Sequence, residues 1–271
     1  MPEADYLRLT AQRLQAAIGG APLQRADLRW PNIAGHNLLG RSLINTYSYG
    51  KHLFLQFDDS RSLHVHLRME GLFRIARTGT PQARGAGHNV RAVLGTAKWT
   101  AIGSELGMLD LLDTQDEKRI LQKLGPEILA PDFITNGALV AAAKLDGYKD
   151  WPICAALLEQ QIVAGIGTIW MAESLWALKI HPWAKVGDIP AAQRLELLQT
   201  AHKLLVRCVE IAGLHGLGRV TRKVHGQHKR FCVRCGVSQI AVSALSGPKN
   251  SPDQGAFDRV VFWCPVCQGG Y

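Results

Sequence analysis

Leu7, Ala11, Leu14 and Ile18 recur at spacings of four, three and four, which predicts an amphipathic helix over residues 5–18. Gly19-Gly20 ends the run, and Asp5 falls in the first turn, where a carboxylate suits the positive end of the helix dipole. Between residues 42 and 112 the period changes. Segments 42–49, 52–57, 62–67, 71–76, 89–95 and 97–102 are short and rich in β-branched and aromatic residues, and turn residues separate several of them. In Leu63-His64-Val65-His66-Leu67 apolar and polar side chains alternate, so one face of that strand is buried. Short strands at this spacing predict an antiparallel sandwich.

The pattern turns helical from Pro152 onward. Residues 153–161 form a short helix, Val163-Ala164-Gly165-Ile166-Gly167 a tight turn, and 168–178 a second helix with Thr168 as its N-cap. A third helix runs over 191–211, with Pro190 near its first position. Residues 131–148 read as connecting structure. The fold class is α+β: an N-terminal sandwich domain with flanking helices (1–130), a linker (131–150), a helical domain (151–222) and a cysteine-bearing region (223–271).

The chain has 271 residues, of which 47% are hydrophobic, enough for two ordinary cores. No apolar run reaches bilayer length, and the N-terminus lacks the basic-then-apolar layout of a signal peptide. These features suggest a cytoplasmic, bacterial protein with no membrane role. The formal charge is +9, and residues 211–252 carry no acidic side chain while holding Arg219, Arg222, Lys223, Lys229, Arg230, Arg234 and Lys249. A one-signed block of this kind is the electrostatic footprint of a polyanion-binding surface. Within it, Cys232-x-x-Cys235 is followed by Cys264-x-x-Cys267, the spacing of a four-thiolate structural zinc site. A redox dithiol or a ribosomal-type ribbon are the other readings of such pairs. Cys154 and Cys208 sit in helical apolar patterns as core thiols.

The chain begins Met1-Pro2-Glu3. Removal of the initiator methionine leaves a secondary amine beside a carboxylate. An α-amine titrates near about 7.7–8.0, against about 10.4 for lysine, so much more of it is nucleophilic at neutral pH. A proline nitrogen bonded to a sugar carbon becomes a cationic iminium, which acidifies the neighbouring carbon, and Glu3 can shuttle the protons. Met-Pro-Glu alone is a weak signal, since many chains begin this way without consequence. It gains force from motifs further along the chain.

Met1-Pro2-Glu3, the turn Tyr49-Gly50-Lys51-His52-Leu53-Phe54 and the run His66-Leu67-Arg68-Met69-Glu70-Gly71 resemble the N-terminal domain of the formamidopyrimidine-DNA glycosylase/endonuclease VIII family. The stretch Leu157-Leu158-Glu159-Gln160-Gln161-Ile162-Val163-Ala164-Gly165-Ile166-Gly167-Thr168-Ile169-Trp170 resembles the family's helix–two-turns–helix motif. Val224-His225-Gly226-Gln227, the four cysteines and Arg259-Val260-Val261-Phe262-Trp263 are similar to its β-hairpin zinc finger. The likeness runs in order along essentially the whole chain.

The resemblance implies a bifunctional base-excision-repair enzyme that works as a monomer on double-stranded DNA bearing oxidised bases or abasic sites. In it Pro2 attacks C1′, Glu3 is the general acid/base, and Lys51 binds phosphate and assists. Met69 wedges into the gap left by a flipped base, His88 aligns with a phosphate-contacting histidine, Arg259 is the finger arginine, and one structural Zn²⁺ is held by Cys232, Cys235, Cys264 and Cys267. Thr168 stands where many relatives carry an asparagine that touches the DNA backbone. The implied location is the nucleoid.

Two departures bear on the lesion. Where the oxidised-purine branch carries Asp-Pro-Arg-Arg-Phe-Gly, residues 101–109 read Ala-Ile-Gly-Ser-Glu-Leu-Gly-Met-Leu, and residues 213–230 leave little room for a loop capping 8-oxoguanine. Both favour the endonuclease VIII branch, its second actinobacterial type in particular, and oxidised pyrimidines. The spacer between the cysteine pairs is longer than is common in the family, and 244–254 reads as an inserted hairpin tip. A damage-sensing binder without turnover, a lyase acting only on ready-made abasic sites, and an 8-oxoguanine glycosylase are the alternatives.

Overall fold

The computed structural model describes residues 2–33, 35–245 and 259–269. These fall into two compact units, Met1–Lys123 and Leu124–Tyr271.

In the first unit, helix α1 (Ala4–Ile18) buries the stripe Leu7, Ala11, Leu14 and Ile18 that its sequence spacing specifies. Eight strands follow: β1 (Arg25–Leu28), β2 (Leu43–Tyr49), β3 (His52–Phe57), β4 (Arg61–His66), β5 (Leu72–Arg77), β6 (Val90–Gly95), β7 (Trp99–Ser104) and β8 (Met108–Asp113). They pair antiparallel in two four-stranded sheets, β1-β6-β7-β5 and β2-β3-β4-β8. Short helix α2 (Glu117–Leu121) closes the unit.

Side chains alternate across a pleated strand, and both sheets use this to make two faces. Leu53, Leu55 and Phe57 of β3 and Leu63 and Val65 of β4 join α1 and Ala92, Leu94 and Ala101 of the other sheet in one core. On β6 and β7, Val93 and Ile102 point the opposite way into a small satellite core with Ala76 and Ala83. The alternate residues of β3 and β4 (His52, Phe54, His64 and His66) form a second, ring-lined face, and Phe54 and His64 are buried on it, so both faces of β4 are covered and not the one that its alternation predicts.

In the second unit, a π-turn (Phe133–Gly137) leads into α3 (Ala138–Leu145), followed by α4 (Ile153–Ala156), α5 (Thr168–Ala177) and the long α6 (Ala191–His215). α6 packs against α3 and α5. Strands β9 (Ala241–Leu245) and β10 (Arg259–Trp263) form an antiparallel hairpin, Ala241 opposite Trp263. The antiparallel sandwich, helical region and C-terminal hairpin match the expected α+β class.

Several local expectations shift. The sequence pattern marks neither β1 nor β8, because β1 is only four residues long and β8 is interrupted in hydropathy by Asp110. Residues 131–148, expected as connecting structure, hold the π-turn and α3, an Ala-rich helix whose Ala138, Ala141 and Leu145 are buried. The helix expected over 153–161 is only one turn, after which Gln160 folds its amide onto the backbone of the following loop. α6 runs four residues past its expected end, to Gly216 at φ 82°, the left-handed conformation that glycine supplies at helix ends. The expected insert at 244–254 lies outside the described residues from 246 on.

Phe57 is fully buried between α1 and the sheets. Phe57→Ala should cost about 3–5 kcal/mol through lost burial and a residual cavity, read as a lowered urea midpoint; a loss below about 1 kcal/mol would contradict this packing.

Candidate functional site

Glu3 is the N-cap residue of α1, extended at φ −117°, with its backbone carbonyl accepting the Leu7 N–H at 3.1 Å. It is 1% exposed. Pro2 and Glu3 therefore lead directly into the first turn of a helix whose inner stripe is in the core. The helix N-terminus also favours a carboxylate there. Pro2 is half-buried. At the other end of α1, Gly19 pairs with Leu43 at the start of β2, and α1 lies against that strand.

One end of the sandwich, where β2 turns into β3, collects the other predicted residues of the first unit. Tyr49 faces His52 across a two-residue turn, Gly50-Lys51, in which Gly50 has φ 56°. Two-residue hairpin turns of this hand require positive φ at the first central position, which explains a glycine immediately before the lysine. His52 pairs with His66, so the segment 67–71 leaves β4 beside the Lys51 turn. Arg68 sits at φ 53°, the Gly71 N–H closes onto the Leu67 carbonyl at 3.0 Å, and Met69 is 44% exposed at the tip. Gly71 cannot be replaced freely, since a Cβ there would meet the Leu67 carbonyl oxygen at 2.4 Å. Gly107 and Glu105 tie this turn to the next: Gly107 N–H donates to the His66 carbonyl and Glu105 N–H to the Asn89 carbonyl. His88, exposed, lies in that neighbouring segment. Lys51, Met69 and the His88 segment thus share one end of the sandwich.

The histidines behind Lys51 carry depressed pKa values. Burial, with the Lys51 charge adding, lowers His52 to about 4. Burial, with His52 and His66 adding, lowers His64 to about 3. Burial, with His52, Lys51 and Arg68 adding, lowers His66 to about 3. All three are neutral imidazoles at physiological pH.

In the second unit the loop before α5 is stapled by one side chain. Gln160 accepts the Gly165 N–H at 2.9 Å and donates to the carbonyls of Leu158 and Ile166 at 2.8 and 3.1 Å. Gly165 takes φ 112°, open only to glycine in practice. The N-cap of α5 is Gly167, not Thr168, which occupies the first helical position and is half-buried. The loop enters extended, at φ −125°, and leaves Thr168 at the N-terminus of the helix, where backbone N–H groups favour anions.

The four cysteine sulfurs lie within 4.8 Å of one another. Cys232 and Cys267 are 3.8 Å apart, as are Cys235 and Cys264. Sulfurs about 2.3 Å from a tetrahedral zinc are about 3.8 Å from each other, whereas a disulfide would need about 2.05 Å. The donor set fits a metal. Sulfurs this close resist ionising together: burial and neighbouring sulfurs push Cys267 up to about 12, while Cys232, despite burial, is held down to about 6 by the N–H groups of Cys235, Arg234 and Trp176.

Contacts that the sequence did not announce fasten this cluster to α5. Glu173, 6% exposed, accepts the backbone N–H groups of Lys223, Val224 and His225 at 2.9–3.0 Å. Arg234 stacks on Trp176, 3.8 Å from the ring centroid, and donates to the carbonyls of Trp176 and Ala177 at the end of α5. The Trp176 indole N–H donates to Cys232 Sγ at 3.4 Å. Gln268 accepts from the Cys264 N–H and donates to the Ile180 carbonyl, both at 2.8 Å. Arg259 opens β10, exposed and opposite Leu245. A glutamate inside an apolar helix face was the one available signal for these anchors.

Comparison with known proteins identifies the class. The formamidopyrimidine-DNA glycosylase N-terminal domain matches residues 1–108 and the formamidopyrimidine-DNA glycosylase H2TH domain matches residues 124–216. The chain is 35% identical over 275 residues to the probable endonuclease 8 2 of Streptomyces coelicolor, covering 100% of this chain and 95% of the relative. It is 36% identical over 272 residues to the DNA-(apurinic or apyrimidinic site) lyase Nei2 of Mycolicibacterium smegmatis, covering 99% of each. Its fold superposes, with TM-score 0.82 and 25% identity over 98% of this chain and 99% of the other, on Lactococcus lactis formamidopyrimidine DNA glycosylase bound to DNA containing an AP site. The protein is a DNA glycosylase by fold and sequence. It belongs to the formamidopyrimidine-DNA glycosylase/endonuclease VIII family.

The lowered histidines fix a pH dependence. Each has a folded pKa below its ordinary value of about 6.5, so between about pH 6.5 and 4 the unfolded chain binds more protons than the folded one, and stability must fall as pH falls through that window. Replacing His64 by Phe should flatten the low-pH limb of a stability–pH curve measured by urea titration; an unchanged limb would contradict the assignment. Glu173→Ala should leave three N–H groups unpaired and lower the melting temperature of the second unit, at about 1–3 kcal/mol for each buried orphan donor; an unchanged melting temperature would contradict the anchor.

Proposed function

We propose that the chain is a bifunctional DNA glycosylase/AP lyase that removes oxidised pyrimidines from duplex DNA and then cuts the strand by β,δ-elimination. The observations that support this reading are the buried Glu3, beside Pro2, at the head of a core-anchored helix and, in the same unit, the end of the sandwich that presents Lys51 and Met69.

In this reading Met1 is removed and the Pro2 nitrogen bonds to C1′ as the bond to the damaged base breaks. Glu3 donates and accepts the protons. The resulting iminium acidifies C2′; loss of that proton expels the 3′-phosphate and a second elimination expels the 5′-phosphate. Lys51 supports the phosphate, Met69 fills the place of the flipped base, and His88, Thr168 and Arg259 bind the DNA backbone. The exposed Arg259 suits bidentate phosphate binding. Cys232, Cys235, Cys264 and Cys267 hold one Zn²⁺, which supplies folding energy to the finger.

The pyrimidine preference is supported by the absence of Asp-Pro-Arg-Arg-Phe-Gly at 101–109 and by the likeness to proteins called endonuclease 8 2. A second reading, a lyase that acts only on ready-made abasic sites, is favoured by the relative named an apurinic or apyrimidinic site lyase.

Single-turnover cleavage of matched duplexes carrying thymine glycol or an abasic site separates the two. The first reading requires product from both, and product from the abasic duplex alone would replace it with the second. Glu3→Gln should slow thymine glycol excision by about 10²–10⁴-fold, the range of a lost general acid/base; a change under threefold would remove Glu3 from the chemistry. Purified protein should contain one zinc per chain by elemental analysis, and chelation should abolish duplex binding; metal-free protein that binds duplex with full affinity would contradict the finger's role.

A further inference from the structure

The ring-lined face of β2, β3 and β4 forms a continuous, largely buried stack. Tyr47 lies on Phe54 with ring centroids 5.1 Å apart, Phe54 on His64 at 4.6 Å, and His64 on His52 at 5.1 Å, all within 20° of parallel. His66 closes the row edge-on to His52 at 5.3 Å. Each end is tied down. The Tyr47 hydroxyl donates to the buried Glu117 carboxylate at 2.5 Å. His66 Nδ1 accepts the Arg68 N–H at 3.0 Å, which closes the left-handed Arg68 turn that presents Met69. In the middle, His52 Nδ1 and His64 Nε2 share one proton at 2.8 Å.

A histidine can clip that N–H only while Nδ1 is unprotonated, which places the ring proton on Nε2. Protonation turns Nδ1 into a donor and opposes the Arg68 N–H. We propose that His52 and His64 are positioning residues: stacked and bonded to each other, they hold the His66 ring as the acceptor that fixes the Met69 turn. This rests on the proposed glycosylase reading for its consequence, and not for its geometry.

The groups facing His66 support the assignment. Lys51 and Arg68 place positive charge beside it, His52 and His64 are themselves resistant to protonation, and both burial and charge depress His66. Tyr49 pairs with His52, Asp110 on β8 pairs with His64 at the middle of the stack, and His66 itself pairs with the uncharged Met108; Glu70 lies in the turn that His66 clips. Glu117 lies at the Tyr47 end.

The test is a ¹⁵N-detected histidine titration of the full-length zinc-loaded protein. Wild-type His66 should remain the neutral Nε2–H tautomer from pH 8 to pH 5. In His52→Ala, which opens one side of the ring to water while Lys51 and Arg68 remain, its titration should move up toward the ordinary histidine range; in His52→Phe, which keeps the stack, it should stay neutral. Wild-type His66 present as the Nδ1–H tautomer, or titrating near 6.5, would overturn the proposal, as would His52→Ala behaving like wild type. Thermal melts of each variant establish that it is folded. If thymine glycol excision is active, His52→Ala should lose about tenfold in single-turnover rate per pH unit below the pH at which its His66 titrates relative to wild type, while His52→Phe keeps the wild-type profile. Absence of excision in every protein would refute the glycosylase reading and leave the titration to decide this one.

Discussion

Everything proposed for the chemistry depends on α1 being held along its whole length. A chain terminus is normally where order is lost first. Here the second and third residues lead directly into a helix whose Leu7, Ala11, Leu14 and Ile18 are all buried, and whose far end is pinned by the Gly19–Leu43 bridge. Burial of four apolar side chains, each contributing on the order of 1–3 kcal/mol, converts a fraying end into a fixed one. Glu3 gains its near-complete burial by the same route, which keeps a carboxylate out of bulk water beside the amine it would serve.

The second unit solves a comparable problem for its finger. A hairpin of two five-residue strands has little core of its own. Its stability comes from the sulfur cluster and from α5, whose Glu173 holds the incoming chain and whose last carbonyls accept from Arg234. Arg234 also removes one positive charge of the basic segment from general duty: its guanidinium is committed to Trp176 and the helix end. The basic residues left to meet a polyanion are therefore fewer than the sequence count suggests.

Much of this architecture is legible in the chain. Strict period-two alternation in β4 marks both the core face and the row of histidines on the other side, and the cysteine spacing marks the cluster. The features that escape the sequence pattern arise from tertiary contacts. The four-residue β1 owes its existence to pairing with β6, and α3 is hidden because its alanines carry little hydrophobic signal while packing closely on α6. Propensity makes Thr168 a cap, but the extended entry of the stapled loop places Gly167 there instead. The anchors Glu173, Trp176 and Arg234 lie up to 58 residues from their partners in sequence, and no local pattern links them.

The most direct test of the central claim is to reduce the reaction of the protein on abasic-site DNA with borohydride, digest the trapped complex and map the adduct by tandem mass spectrometry. The expected product is a sugar remnant on the Pro2 nitrogen of an N-terminal peptide lacking Met1. An adduct on Lys51 or any other lysine, or active protein retaining Met1, would contradict it.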